Sequence, residues 1–513
     1  MNVNLLSMDP AYRLPENMPW NTEELEKDLD LATIYNAMAG KDRYVFDVCR
    51  RAILNTLTDR DTIVYRQRVL QDALDNPDIV WDIYSIIVDS VAQAKRLLFW
   101  VSRQNPEFVL HESISVLQIC LAAIEKIREI GRKALPSLHS EGFMRFFSMI
   151  SHEFDEDYVK MVSGHLENLR FPRGIYVSGG LGRGNALTGY NLVVPKVKPD
   201  RIVERITNIR EPHYTYVLPD RDEQGGQALG EMRARSISET ARIVSESAEN
   251  VLGFIDRLKE EIAFYLGCLN LKKHLNPLGA RTSFPVPGKE AGSGTFYEGI
   301  YDLALSLRTD HTLVGNSLYA EKDHLIFITG ANKGGKSTLL KAIGQAQLMM
   351  QSGMFVAADS FSTFIAVGLF THFKREEDTE MSKGKFDEEL SRMSGIVDHI
   401  IPGSRLLFNE SFSSTNVREG SEIAESIIDA LLTRGIRIIF VTHFNELAEA
   451  YLDRLPKPTF LKAERLEDGT RTFRILQADP ISTSFGYDIF QKVFKDWTDV
   501  GVYSSEKTVS RMN

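Results

Sequence analysis

Apolar residues recur at helical spacing through the first third of the chain. Leu31, Ile34, Tyr35 and Met38 share one face. Val69, Leu70 and Ala73 follow an alternately charged opening at Asp59–Arg68, and Ile114, Leu117, Leu121 and Ile124 line a long amphipathic run over about 108–135. A later run is more regular still. Ile237, Ala241, Val244, Ala248, Val251, Ile255, Leu258, Ile262 and Tyr265 alternate spacings of four and three, a coiled-coil heptad seam of about four repeats. At ~1.5 Å per residue, a helix over about 230–270 would be roughly 60 Å long. Its stripe needs a partner, either another chain or the upstream run around 108–170. The intrachain solution, two antiparallel helices forming an arm, is favoured.

Between these runs, at about 171–226, glycines and prolines cluster and Tyr190-Asn191-Leu192-Val193-Val194 reads as a strand. Gly180-Leu181-Gly182-Arg183-Gly184 lacks full dinucleotide-loop spacing and has no helix after it, so it is expected to be a β-turn. Beyond Pro277, Pro285 and Pro287 short apolar runs alternate with helical patterns, the signature of a parallel sheet covered on both faces. The predicted organisation is multidomain: an irregular lead-in (1–27), an all-α core (28–105), long lever helices with a β and loop tip (106–275), an α/β domain (276–500) and a tail (501–513).

Composition narrows the class. With 513 residues, 43% hydrophobic and 25% charged, the chain is an ordinary globular protein of several domains. Cys49, Cys120 and Cys268 are widely spaced, which suggests reduced thiols in a cytoplasmic protein. The start carries no secretory pattern, and no stretch is expected to approach the ~20 apolar residues that a membrane span needs. A net charge of −10 argues against a uniformly basic nucleic-acid binder but permits a local basic surface.

The chemistry concentrates in Thr329-Gly330-Ala331-Asn332-Lys333-Gly334-Gly335-Lys336-Ser337-Thr338. This fits G-x-x-x-x-G-K-[ST], follows the apolar run Leu325–Ile328 and precedes a helix with Leu339, Leu340 and Ile343. Residues Gly330–Thr338 are therefore predicted to cradle the phosphates of ATP, with Lys336 on the β- and γ-phosphates and Ser337 on Mg²⁺. Downstream, Arg405–Glu410 is an apolar strand ending in two polar residues. Glu410 suits a general base, and Asn409 stands where an acidic residue would hold the Mg²⁺ shell. Ile436–Val441 delivers Thr442 and His443 at its end. His443 has two readings, a γ-phosphate contact or a helix-capping or hydrogen-bonded core histidine; beside the other assignments the first is preferred.

These segments resemble the MutS mismatch-repair ATPases. The P-loop is similar to their TGPNMGGKST, Gly353–Ala358 to their following GxFVPA strand, Asn409-Glu410 to their Asp-Glu pair, Thr442–Leu447 to THYxEL and Ser484-Phe485-Gly486 to a late S-Y-G turn. The resemblance is specific over about 320–490 and topologically consistent upstream. It implies an ABC-type ATPase that homodimerises through its ATPase domains, closes helical arms on duplex or branched DNA and serves mismatch repair or recombination. It also implies that Glu410 is the catalytic base, that Lys336 and Ser337 are the phosphate and Mg²⁺ ligands, and that His443 is the switch histidine.

The departures count equally. Helical text begins near residue 28, which leaves no room for the family's mismatch-reading and connector domains within this sequence. Met381–Leu390 occupies the signature-loop place, with Gly384 where a serine is expected and Ser382, Lys383 or Lys385 as substitutes. Phe412-Ser413-Ser414-Thr415-Asn416 replaces Gly-Arg-Gly-Thr-Ser. A competing reading is a nucleotide-gated protein-binding scaffold in which Asn409 marks slow or silent hydrolysis. For DNA, Lys196, Lys198, Arg201, Arg205 and Arg210 outnumber Asp200 and Glu204 in the expected arm tip. They read either as phosphate contacts or as a solvated charged loop.

Overall fold

The computed structural model describes residues 2–99, 105–172, 174–185, 187–193, 215–219, 221–288, 293–311, 313–321, 323–375, 384–466 and 470–480. The chain divides into two compact units, Met1–Ala11 with Gln71–Leu266 and Tyr12–Leu70 with Gly267–Asn513. Helices α1 (Thr22–Asp28), α2 (Leu31–Ala39) and α3 (Arg43–Leu54) therefore belong with the α/β part, and α1 begins inside the expected lead-in. Helix α4 (Arg60–Asp75) has residues in both units.

In the helical unit, α5 (Pro77–Phe99) packs along α6 (Pro106–Ala134), and α7 (Glu141–Glu153) and α8 (Glu156–Asn168) follow. The Asn105 side chain caps α6 by accepting from the Glu107 amide, with Pro106 opening the helix. Arg170 donates to Ser115 (3.2 Å) and Gln118 (2.9 Å), while Arg128 donates to the Phe154 carbonyl, so α8 runs back along α6. Helix α9 (Glu223–Leu275) is the long helix predicted from the heptad seam, with Ile237, Ala241, Ile255, Leu258, Ile262 and Tyr265 buried along it. Arg233 of α9 pairs with Glu107 at 2.6 Å, and Tyr265 meets Phe143 at 6.5 Å between ring centroids. Helix α9 thus runs in the same sense as α6, where an antiparallel pair was expected; α8 is antiparallel to α6. Strands β1 (Val177–Leu181) and β2 (Leu187–Leu192) form an antiparallel hairpin around the expected glycine turn.

One expectation needs revision. By length and composition Pro106–Ser137 is apolar enough to cross a membrane. Half of that window is buried, and Leu110, Ile114, Leu117, Cys120, Ile124 and Ile127 form its packed side, as in the core helix of a helical bundle.

The α/β unit holds two sheets. In the smaller, β3 (Val286–Pro287), β7 (Ser360–Thr363), β4 (Thr295–Ile300) and β5 (Asn316–Ala320) lie in that order. Between β4 and β5 comes α10 (Leu303–Thr309). The larger contains β6 (Leu325–Thr329), β8 (Leu369–Phe373), β9 (Arg405–Asn409), β10 (Arg437–Val441), β11 (Thr459–Arg465) and β12 (Arg471–Gln477). Its order is β12-β11-β6-β10-β9-β8, parallel except at β12. Non-consecutive neighbours place helices on both faces, as parallel connections require. Helix α11 (Lys336–Gln351) covers one face, where Gly344 sits against Leu407 and Leu29. Helices α12 (Lys385–His399), α13 (Val417–Thr433) and α14 (Asn445–Glu449) cover the other, around Phe327, Phe408 and Phe440. Burying each such aromatic side chain stabilises the unit by about 1.5–3 kcal/mol.

Gly353–Ala358, expected as a strand, is instead an irregular buried passage. Only Val356 bridges, to Ser283, because Gly353 turns the chain with φ +78° and Arg66 fills the space beside it.

Candidate functional site

Parallel strands deliver their C-terminal ends to one edge, where α/β sheets place ligands. At that edge β6 runs into the P-loop, β9 into Asn409-Glu410 and β10 into Thr442-His443. The three strands are adjacent, and backbone bonds lock their ends together: Glu410 N to Val441 O (2.9 Å) and Thr442 N to Ile328 O (3.1 Å). The residues singled out as catalytic, phosphate-binding and metal-holding are thereby gathered at one place.

The loop over Gly330–Gly335 needs unusual backbone conformations. Gly330 has φ +111° and Gly335 +93°, conformations open to glycine; Lys333 adopts +61° despite its side chain. Space also selects glycine. A Cβ on Gly334 would lie 2.8 Å from the Ala463 Cβ, and one on Gly330 would lie 3.1 Å from the same atom. Asn332 and Lys333 are exposed at the crest, and Ser337 and Thr338 open α11 half-buried. The N-terminus of α11 supplies unpaired amides and the positive dipole end.

Lys336 is buried and donates to the carbonyls of Gly330 (2.9 Å) and Ala331 (3.2 Å). Burial lowers its pKa, with Glu410 opposing the shift. The Ser337 hydroxyl donates to Asn409 Oδ1 at 2.7 Å. A buried ammonium, a hydroxyl paired with an amide oxygen and a glycine-lined cradle fit a magnesium nucleotide: Lys336 for the phosphates, Ser337 and Asn409 for the ion.

Glu410 is half-buried with φ +54°, and Phe412 follows with φ +61°. Two left-handed non-glycine residues in three cost about 1 kcal/mol or more each, and such strain persists only where surrounding contacts hold it. Ser413 Oγ donates to the Glu410 carbonyl at 2.7 Å, and Gly420 of α13 lies under the Phe412 carbonyl. His443 is exposed, with its ring at 4.8 Å from Phe444. Its pKa is lowered by the protein packed around it, while Glu410 opposes the shift and Lys374 and Lys336 reinforce it. Its exposure does not suit the core-histidine reading.

Sequence reasoning missed a second layer. His372 of β8, fully buried, contacts Ser411 and the carbonyl of Glu389. A histidine inside the apolar run Leu369–Phe373 was the available signal. Lys374 adds a cation beyond β8, its amide bonded to the Asn409 carbonyl at 2.9 Å. Ala463 gave no signal, since its role depends on a fold contact far along the chain. Gly384 caps α12 without a side-chain bond, and Asp387 and Glu388 in the first turn complement the helix dipole. Lys385 opens that helix. Lys196, Lys198, Arg201 and Arg205 lie outside the described residues, as do Ser382, Lys383 and Ser484-Phe485-Gly486.

A family model described as the MutS2 N-terminal domain matches residues 58–278, and one described as MutS domain V matches residues 326–495. The protein named Endonuclease MutS2 from Listeria welshimeri is 25% identical over 316 residues, covering 58% of this chain and 39% of its own. The protein of the same name from Ligilactobacillus salivarius is 25% identical over 403 residues, 75% of this chain and 49% of its own. DNA mismatch repair protein MutS from Porphyromonas gingivalis is 31% identical over 191 residues, 36% of this chain and 21% of its own. The chain thus spans less than half the length of these curated relatives.

Proposed function

The chain belongs to the MutS family, and from that premise we propose that it binds and hydrolyses ATP and engages duplex or branched DNA through its helical part, with its grip set by the nucleotide state. Its helical region with long helices is followed by a mixed α/β MutS ATPase domain. The observation that carries the reading is the convergence of Lys336, Ser337, Asn409, Glu410 and His443 on the ends of adjacent parallel strands.

Lys336 now rests on two loop carbonyls; anionic phosphate oxygens are stronger acceptors for an ammonium, so ATP would draw it across. Mg²⁺ bound with the nucleotide would neutralise phosphate charge at Ser337 and Asn409. Glu410 would orient the attacking water and take its proton, and His443 would contact the γ-phosphate from β10. Two copies would meet through their ATPase domains, as the family resemblance implies.

The relatives' names, mismatch repair protein and endonuclease, support DNA as partner, and Lys196, Lys198, Arg201 and Arg205 are the candidate phosphate contacts. Nuclease activity is not carried over, because the match covers 39% of the Listeria relative. Asn409 favours the second reading, a nucleotide-gated protein scaffold with slow turnover. ATP binding, ATPase rate and salt-dependent DNA binding separate the two. Lys336→Ala abolishes ATP binding, Glu410→Gln keeps binding and loses turnover, and removing the four basic side chains flattens the salt slope by about 0.9 for each lost contact. No measurable DNA affinity at low salt overturns the DNA reading.

A further inference from the structure

We propose that His372 is a positioning residue that ties the Glu410 turn to helix α12, so that the two shift together; this rests on the reading of Glu410 as the base. His372 stands opposite Phe408 in the β8–β9 register, one residue before the pairing of Phe373 with Asn409. Its ring lies between two segments that the chain connects only through distant residues. On one side Nε2 is 3.0 Å from the Glu389 carbonyl of α12. On the other, Nδ1 is 2.8 Å from Ser411 Oγ, and the ring stacks on Phe412 at 5.4 Å and 19°. Ser411 and Phe412 directly follow Glu410, and both Glu410 and Phe412 hold left-handed backbones. The clamp therefore grips the turn where its conformation most needs support.

The proton count gives the clamp two settings. Burial, reinforced by Arg392 and Arg375, pushes the His372 pKa to about 3, so the ring is neutral and has one N–H. Nε2 faces a carbonyl, which only accepts, so that nitrogen carries the proton. Nδ1 then accepts from the Ser411 hydroxyl. The same hydroxyl also lies 2.6 Å from the His372 carbonyl. One proton cannot serve both acceptors, so Ser411 has two hydrogen-bond states, one of which releases the ring. Beside this pair sits the buried side chain of Glu389, next to Ser414 and Lys374. Burial raises its pKa, while Ser414 and Lys374 oppose the shift. A movement of α12 would change the Glu389 carbonyl, the imidazole and the Glu410 turn in sequence.

The test compares the full chain with His372→Phe, which fills the space without polar contacts, and with Ser411→Ala, which keeps the ring. Amide exchange is followed over 385–399 and 410–416 with and without a non-hydrolysable ATP analogue, alongside nucleotide Kd and kcat. In the unsubstituted chain both segments change together on nucleotide addition. In both variants Kd stays within about threefold, kcat falls about tenfold or more, and the 410–416 change no longer accompanies that of α12. His372→Asn, whose amide reaches Ser411 alone, recovers part of kcat. Coupled exchange in the variants, or no nucleotide-linked change in the unsubstituted chain, overturns the proposal. Unchanged turnover in His372→Phe while Glu410→Gln abolishes it also overturns it. Unchanged turnover in Glu410→Gln instead removes the base assignment and leaves the exchange comparison to judge the clamp.

Discussion

Ser337 and Asn409 are hydrogen-bonded at 2.7 Å, hydroxyl to amide oxygen, across the first turn of α11 and the end of β9. The pair is geometrically ready for a metal shell but carries no negative charge. Asn409→Asp adds one at the place where the family resemblance expects it. The apparent affinity for Mg²⁺ in the presence of ATP should tighten by about tenfold, with faster turnover. A magnesium titration of ATPase activity checks this. If neither quantity moves, the neutral amide is not what limits the site, and the altered segment around Gly384 is the next to vary.

The P-loop conformation depends on one small side chain at a distance. Gly334→Ala brings a methyl to 2.8 Å from the Ala463 Cβ and 3.0 Å from the Ala331 carbonyl oxygen. ATP binding should weaken by about tenfold or more, since the loop must shift before phosphate can enter. Adding Ala463→Gly removes the first clash and leaves the second, so affinity recovers in part. The two substitutions should be non-additive in a double-mutant cycle by about 0.5 kcal/mol or more. Additive behaviour would show that Ala463 does not shape the cradle.

How much of this was readable in advance follows from which contacts are local. Leu325–Ile328, the glycine turn and the helix after it are contiguous, so β6, the cradle and α11 were legible. The heptad seam was legible for the same reason: Ile237 to Tyr265 lie on one helix, and their burial follows from spacing. The grouping of 12–70 with the α/β part was not. It depends on contacts such as Gln345 Nε2 to the Leu29 carbonyl (2.9 Å) and Asn21 Nδ2 to the Leu369 carbonyl (2.7 Å), each over 300 residues apart in sequence. The His372 clamp escaped because a lone histidine in an apolar strand gives no hint of its partners, and Ser411 becomes one only once β8 and β9 pair.

Arg405 is fully buried, and its guanidinium donates to Asp323 (2.6 Å), Thr295 (2.8 Å) and Gln347 (2.8 Å) while lying over the Phe364 ring. Burial lowers its pKa to about 10, with Asp323 opposing, and Arg437 shares the same carboxylate. Asp323→Ala removes the carboxylate that the two arginines share. Removing one member of a buried pair costs about 3–5 kcal/mol, so chemical denaturation of the α/β unit should move to clearly lower denaturant. A loss below about 1 kcal/mol would mean that water or a shifted side chain replaces the carboxylate.

Acid should weaken the ATPase domain through His372. Its folded pKa of about 3 lies below the ordinary imidazole value of about 6.5, because burial and then Arg392 and Arg375 disfavour the imidazolium, while the Glu389 carbonyl favours it. Below pH 6.5 the unfolded chain takes up a proton that the folded chain refuses until about pH 3. The stabilising contribution is therefore complete above 6.5 and is lost as pH falls through that window. Between pH 7 and pH 5 the loss amounts to about 2 kcal/mol. Burial raises the pKa of Glu389 and Asp28, so those carboxyls work in the opposite direction. His443 shifts the same way as His372 but is exposed and contributes less. The informative quantity is the difference between the stability curves of the unsubstituted chain and His372→Phe, in which the common contributions cancel. That difference should slope by about 2 kcal/mol from pH 7 to pH 5; parallel curves would mean that His372 is protonated as readily in the folded protein as in the unfolded one.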